Sequence, residues 1–142
     1  MFSRILDRKT SDLTPVLFLC AALLYPFSAS AVTLAQQSNQ ASGVSISAKP
    51  DDLSANASAW SFQIALNTHS GSLDDNLAQS ATLVDAAGKA HAALGWEGDP
   101  AGGHHRKGVL RFKPISPLPE AVELRILLSG ENAPRLFRWK LK

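Results

Sequence analysis

From Val44 onward the chain repeatedly alternates apolar and polar positions, and the alternation predicts short strands with no long helix between them. Val44, Ile46 and Ala48 alternate with Ser45, Ser47 and Lys49, and Pro50 ends that strand because it has no amide to donate. The clearest stretch is WSFQIALN, with Trp60, Phe62, Ile64 and Leu66 on one face and Ser61, Gln63, Ala65 and Asn67 on the other. Ala81 to Asp85 predicts a short strand, Ala86 to Lys89 a turn, and Ala90 to Leu94 the hairpin partner. Gly108 to Lys113 predicts a strand with Leu110 and Phe112 inward. A further strand carries Val122, Leu124, Ile126 and Leu128, and the last carries Phe137, Trp139 and Leu141.

Between these runs lie turn-formers. DDLSANASA and THSGS connect strands, and Ser72 with Asp75 three residues on reads as a capping box for a turn through Leu77. WEGDPAGGHHRK reads as a long loop, and the three prolines of PISPLPE as a stiff crossover. Seven short strands in about a hundred residues predict an all-β fold, an immunoglobulin-like antiparallel β-sandwich. Trp60, Phe62, Phe112 and Trp139 are its expected core.

The N-terminus has a different character. Residues 1–15 are mildly basic, Val16 to Phe27 is apolar, and Ala29-Ser30-Ala31 is a small-residue ending. An apolar run this short falls below the about 20 residues a membrane helix needs. The arrangement is that of a secretory signal peptide over residues 1–31. Residues 32–43 then form a flexible leader or frayed strand, and residues 44–142 a single sandwich domain. Export places the mature chain in a periplasm or outside the cell, with nothing after the signal apolar enough to anchor it. The sole cysteine, Cys20, falls inside the signal, and Leu19 before it is too large for a lipoprotein site. The exported chain therefore has no disulfide framework.

Over the whole chain 14 Lys and Arg face 12 Asp and Glu. Residues 32–105 carry 2 basic and 7 acidic groups, and residues 106–142 carry 9 basic and 3 acidic, so neighbouring strands are expected to pair across that divide. The pattern lacks the clustered basic residues with interleaved aromatics of a nucleic-acid binder.

The candidate chemistry gathers in two stretches. His69 lies in Thr68-His69-Ser70 after the clearest strand, and His104 and His105 lie in GGHHR before another. Loops at one end of a sandwich cluster, so these histidines, with Asp74 and Asp75, are the candidate ligands of a zinc or copper ion, which imidazole nitrogen binds at about 2.0–2.1 Å. Glu97 is a further carboxylate within reach of that set. Adjacent strand residues point to opposite faces, so His104 and His105 do not readily share one ion, and one of them is expected to turn inward. Gly102 and Gly103 loosen that constraint. The competing reading is mechanical: the histidines bond loop carbonyls, Arg106 clamps Asp74 or Asp75 with its planar fork, and Gly102, Gly103 and Trp96 shape the loop. His91, beside alanines on a strand, reads as an ordinary surface or half-buried histidine.

An enzyme is not expected. HSGS is no nucleophile elbow, the adjacent Asp74 and Asp75 diverge, and the glycine-rich loop lacks the lysine-hydroxyl ending of a phosphate loop. WSFQIALNTHS (60–70), DDNL (74–77), WEG (96–98), GGHHRKGVLRF (102–112) and RLFRW (135–139) together resemble a group of small exported bacterial β-sandwich domains of unknown function. The resemblance implies a one-domain exported sandwich and carries no reaction with it. The two readings that follow are a module binding zinc, copper or a protein partner at the THS/GGHHR corner, and a structural or protein-interaction sandwich whose histidines and arginine only fasten loops.

Overall fold

The structure is a computed structural model that describes residues 34–142. The signal peptide expected over residues 1–31, with Cys20, lies outside the described residues. Among the described residues nine strands, rather than the seven the alternation predicts, form two antiparallel sheets. They are β1 (Gln37–Ala41), β2 (Val44–Pro50), β3 (Trp60–Thr68), β4 (Ala81–Asp85), β5 (Ala90–Ala92), β6 (Gly95–Gly98), β7 (His105–Phe112), β8 (Ala121–Ile126) and β9 (Arg135–Lys140). One sheet runs β1-β2-β3-β7-β6 and the other β5-β4-β8-β9. A single helical turn, α1 (Leu77–Ser80), precedes β4.

Both extra strands come from stretches that lack an apolar alternation. QSNQA folds as β1 because Ser42 and Gly43, with φ of 51° and 78°, make a two-residue turn that lays it on β2 from Ala41 opposite Val44 to Gln37 opposite Ala48. Residues 37–41 are thus a strand and not a loose leader. GWEG folds as β6 because β7 offers it a free edge, with Trp96 opposite Leu110 and Gly98 opposite Gly108. The expected Ala90–Leu94 strand divides there: β5 ends at Ala92, and Ala93-Leu94 carries the chain from one sheet to the other. The capping box is also corrected. Asn76 caps α1, its side chain accepting from the Gln79 amide, while Ser72 donates its hydroxyl to Asp74.

The inward positions of both sheets merge into one apolar core. Phe62 is its centre: its ring meets Phe112 edge-on at 5.6 Å and Trp139 of the opposite sheet at 5.5 Å. The indole N–H groups of Trp60 and Trp139, fully or nearly buried, find loop carbonyls at Ser54 (2.9 Å) and Ala35 (2.7 Å). Trp60, Phe62, Phe112 and Trp139 are thus core residues, as their alternation indicates. Among the described residues no helix is long and apolar enough to cross a membrane.

The charge divide is bridged across the β6–β7 ladder, where Arg111 donates to Glu97 at 2.8 Å. The β4–β5 turn has a tighter arrangement. One Asp85 carboxylate oxygen accepts the Ala87 and Lys89 amides, each at 3.0 Å, and the other meets His91 Nε2 at 3.0 Å. The His91 bond, followed by the Lys89 amide, holds the Asp85 carboxyl below the ordinary carboxylate range.

Truncating the ring that joins the two sheets leaves a cavity, so Phe62→Ala should destabilise the protein by about 3–5 kcal/mol in urea titrations, with α1 and the loops unchanged in secondary-structure signal. A carboxyl whose pKa is lowered by folding adds stability above its unfolded value, near 3.9, and loses it as pH falls through the lower folded value. Asp85→Asn should therefore destabilise the protein at pH 7, and the gap between variant and parent should narrow below about pH 4. Urea midpoints measured from pH 7 down to pH 2 check the sign.

Candidate functional site

The THS/GGHHR corner forms where β3 ends and β7 begins. Asn67 and His105 are register partners, and pairing continues past the strands: the Thr68 amide bonds the His104 carbonyl at 2.9 Å, the Leu73 amide the Gly103 carbonyl at 3.0 Å, and the Gly102 amide the Leu73 carbonyl at 2.9 Å. Gly102 and Gly103, at φ of 114° and 72°, occupy backbone that side-chain-bearing residues avoid, which is why two glycines stand here. The Thr68 hydroxyl, nearly buried, lies 2.6 Å from the Ser70 carbonyl and 3.1 Å from the Gly43 carbonyl, which share its one proton, and so ties the β1–β2 turn to the same corner.

Beneath this loop lies Arg106, 3% exposed. It shares the inward face of β7 with Leu110 and Phe112, two and three alternations on. Its Nη1 donates to the main-chain carbonyls of Leu73 (3.0 Å) and Asp75 (2.7 Å), and its Nη2 to that of Asp99 (3.4 Å). Its Cζ sits 5.6 Å from the centroid of the Trp96 ring. The Nε is buried without a partner. The predicted fork to Asp74 or Asp75 is not formed: the guanidinium takes carbonyls. The carboxylates are used elsewhere, Asp74 accepting from Ser72 and Asp75 accepting the Ser129 amide (2.8 Å) and hydroxyl (2.6 Å). Asp75 therefore links Arg106, through its carbonyl, to the β8–β9 connection of the other sheet.

Trp96 can reach Arg106 because β6 and β7 are bare beneath it. A Cβ built on Gly108 would stand 2.6 Å from the indole and 2.5 Å from the Glu97 carbonyl, and one on Gly98 would stand 2.4 Å from the Gly108 Cα. The Trp96 N–H donates to the Asp99 carbonyl at 2.9 Å, the same oxygen that receives Arg106.

The three candidate histidines are all exposed, so neither His104 nor His105 turns inward. His105 Nδ1 meets the Asn67 side-chain oxygen at 2.7 Å. His104 is bonded into the corner through its carbonyl, and His69 lies in the bend between Thr68 and Ser70. Among the described residues no three His, Cys, Asp or Glu side chains are grouped so as to hold a metal ion. Of the expected site residues, the structure brings together the loop-shaping set Arg106, Gly102, Gly103 and Trp96 around the backbone of Leu73 to Asp75.

A second buried guanidinium completes this end of the molecule. Arg135, 5% exposed, donates to the Glu131 carboxylate, to the Asn39 side chain (3.1 Å), and to the carbonyls of Val44 (3.1 Å) and Ala41 (2.7 Å). It fastens the β1–β2 turn of one sheet to β9 of the other. The alternation already marks it, since counting back from Trp139 and Phe137 by twos reaches Arg135. Compared with family models, curated proteins and solved structures, the chain matches none.

Arg106→Ala removes donors from buried carbonyls and opens a void, and should cost on the order of 3 kcal/mol in urea titrations. Arg106→Met, which fills the space and removes the buried charge, should cost less. Arg106→Lys should not restore the parent stability, because a point ammonium cannot bridge three divergent carbonyls. Hydrogen exchange of the Gly102 and Leu73 amides should quicken in all three.

Proposed function

We propose that this chain is an exported, non-catalytic β-sandwich of immunoglobulin-like type, whose THS/GGHHR corner is a rigid end piece presented to a protein partner. The observation that carries the reading is Arg106. Its guanidinium is spent on the loop carbonyls of Leu73, Asp75 and Asp99 and on the Trp96 face, so the corner is held by internal bonds. Exposed imidazoles of His69, His104 and His105 then decorate a fixed surface. Nine antiparallel strands in about a hundred residues, split five and four, support the immunoglobulin-like assignment, with Phe62 packed on Trp139 between the two sheets. The basic start, short apolar run and Ala29-Ser30-Ala31 ending of the sequence support export.

Two measurements test this. When the full chain is expressed, the mature protein should be recovered outside the cytoplasm with Val32 as its first residue by mass spectrometry; an intact cytoplasmic chain would refute export. Elemental analysis and titration with zinc and copper should show no stoichiometric metal in the purified protein, in His69→Ala or in the His104→Ala/His105→Ala pair. One equivalent of metal bound by the parent and lost in both variants would overturn the fastener reading and make the corner a metal site.

A further inference from the structure

A cavity of about 620 Å³ lies at the other end of β7, away from the THS/GGHHR corner. The eight residues of β7 put about 25 Å between the two places. The β4–β5 turn, the β7–β8 connection and the C-terminal residues line the cavity. Its volume lies within the roughly 300–1,000 Å³ typical of small-molecule sites.

The lining has two characters. Ile115 and Leu118, half-buried and packed on the hydrophobic core, give it an apolar surface, with Pro114, Pro117 and Pro119 beside them. Lys89, Lys113 and Lys142, all exposed, line it from three separate segments. Two carboxylates share the lining, Asp85 and Glu120. Asp85 is already spent on the Ala87 and Lys89 amides and on His91, so it is poorly placed to neutralise the lysines. Because ionised Asp85 only accepts, His91 donates to it from Nε2, and the ring is set as part of the cavity wall. A second hollow shares Asp85 and Ala86 and adds Arg125 and Arg138, which both pair with the single carboxylate of Glu123. Cations thus outnumber acids along the whole margin.

We propose that this cavity binds a small organic carboxylate with an apolar body, the carboxylate held by Lys89 and Lys113 and the body laid against Ile115, Leu118 and the prolines. A bare inorganic anion would leave the apolar wall unused, and a neutral apolar molecule would leave the ammonium groups without a partner. The site shares no residue with the Arg106 corner, so it stands or falls independently of the reading given above for that corner.

The test is titration of the full-length purified protein with phenylacetate, followed by calorimetry and by amide chemical shifts. Saturable binding that shifts residues 85–91 and 113–120, weakens roughly tenfold or more in Lys89→Gln/Lys113→Gln, and is absent for uncharged phenylacetamide is the expected result. The double variant alters exposed side chains and should melt with the parent, so a loss of binding reports recognition. Leu118→Ser should also weaken phenylacetate. No saturable binding, equal binding of phenylacetamide, or inorganic phosphate binding as tightly as phenylacetate would each overturn the proposal.

Discussion

Two arginines that point the wrong way organise this molecule. Arg106 and Arg135 occupy inward positions of β7 and β9, where the alternation calls for apolar side chains, and each is nearly buried. A buried guanidinium is tolerable only if its N–H groups are met, and here the loops do most of that work. Arg135 combines the Glu131 carboxylate with the backbone of the β1–β2 turn, whereas Arg106 has carbonyls and an aromatic face but no carboxylate. Loop carbonyls that would otherwise need water are thereby drawn onto fixed donors. The connections at this end inherit the rigidity of the strands beneath them.

The apolar interior supplies the complementary constraint. With no cysteine among residues 34–142, the two sheets are held by apolar packing together with the side-chain bonds of Arg135 and Asp75 between them. Phe62 serves that packing by touching Phe112 in its own sheet and Trp139 in the other. Edge control follows from the same economy of side chains. The Gln37 amide bonds both the carbonyl and the N–H of Arg138 on β9, so the outer rim of the four-stranded sheet is closed by a side chain instead of another strand. At the opposite rim the Gly98–Gly108 pair lets β6 approach β7 closely enough for Trp96 to cover Arg106.

The inward set of β2, β3, β4, β8 and β9 could be read directly from period-two alternation, since burial leaves a chemical trace at every second residue. β1 and β6 left no such trace. QSNQA pairs because of the turn beside it, and GWEG because a neighbouring edge was free, and neither cause is written in its own hydrophobicity. The corner was half legible. GGHHR and THS do come together, through the backbone ladder that their glycines permit. The histidines are the chemically versatile side chains of the corner, yet the structurally decisive residue is the arginine next to them. Parity marks Arg106 and Arg135 as inward, but their acceptors are carbonyls of distant loops, and no residue type announces a carbonyl.

The two ends of β7 consequently differ in kind. At the His105 end, donors and acceptors are matched within the chain: Arg106 with loop carbonyls, Asp75 with Ser129, His105 with Asn67. At the Phe112 end, Asp85 is matched to its turn and to His91, and Lys89, Lys113 and Lys142 gather around a half-apolar hollow. Among the described residues no salt bridge engages these three lysines, whereas the buried cations at the other end hold the loops in place. Stability accounts for the first arrangement. The second is what remains of the sequence once stability has been explained, and an anionic partner is the element that would make its charges favourable.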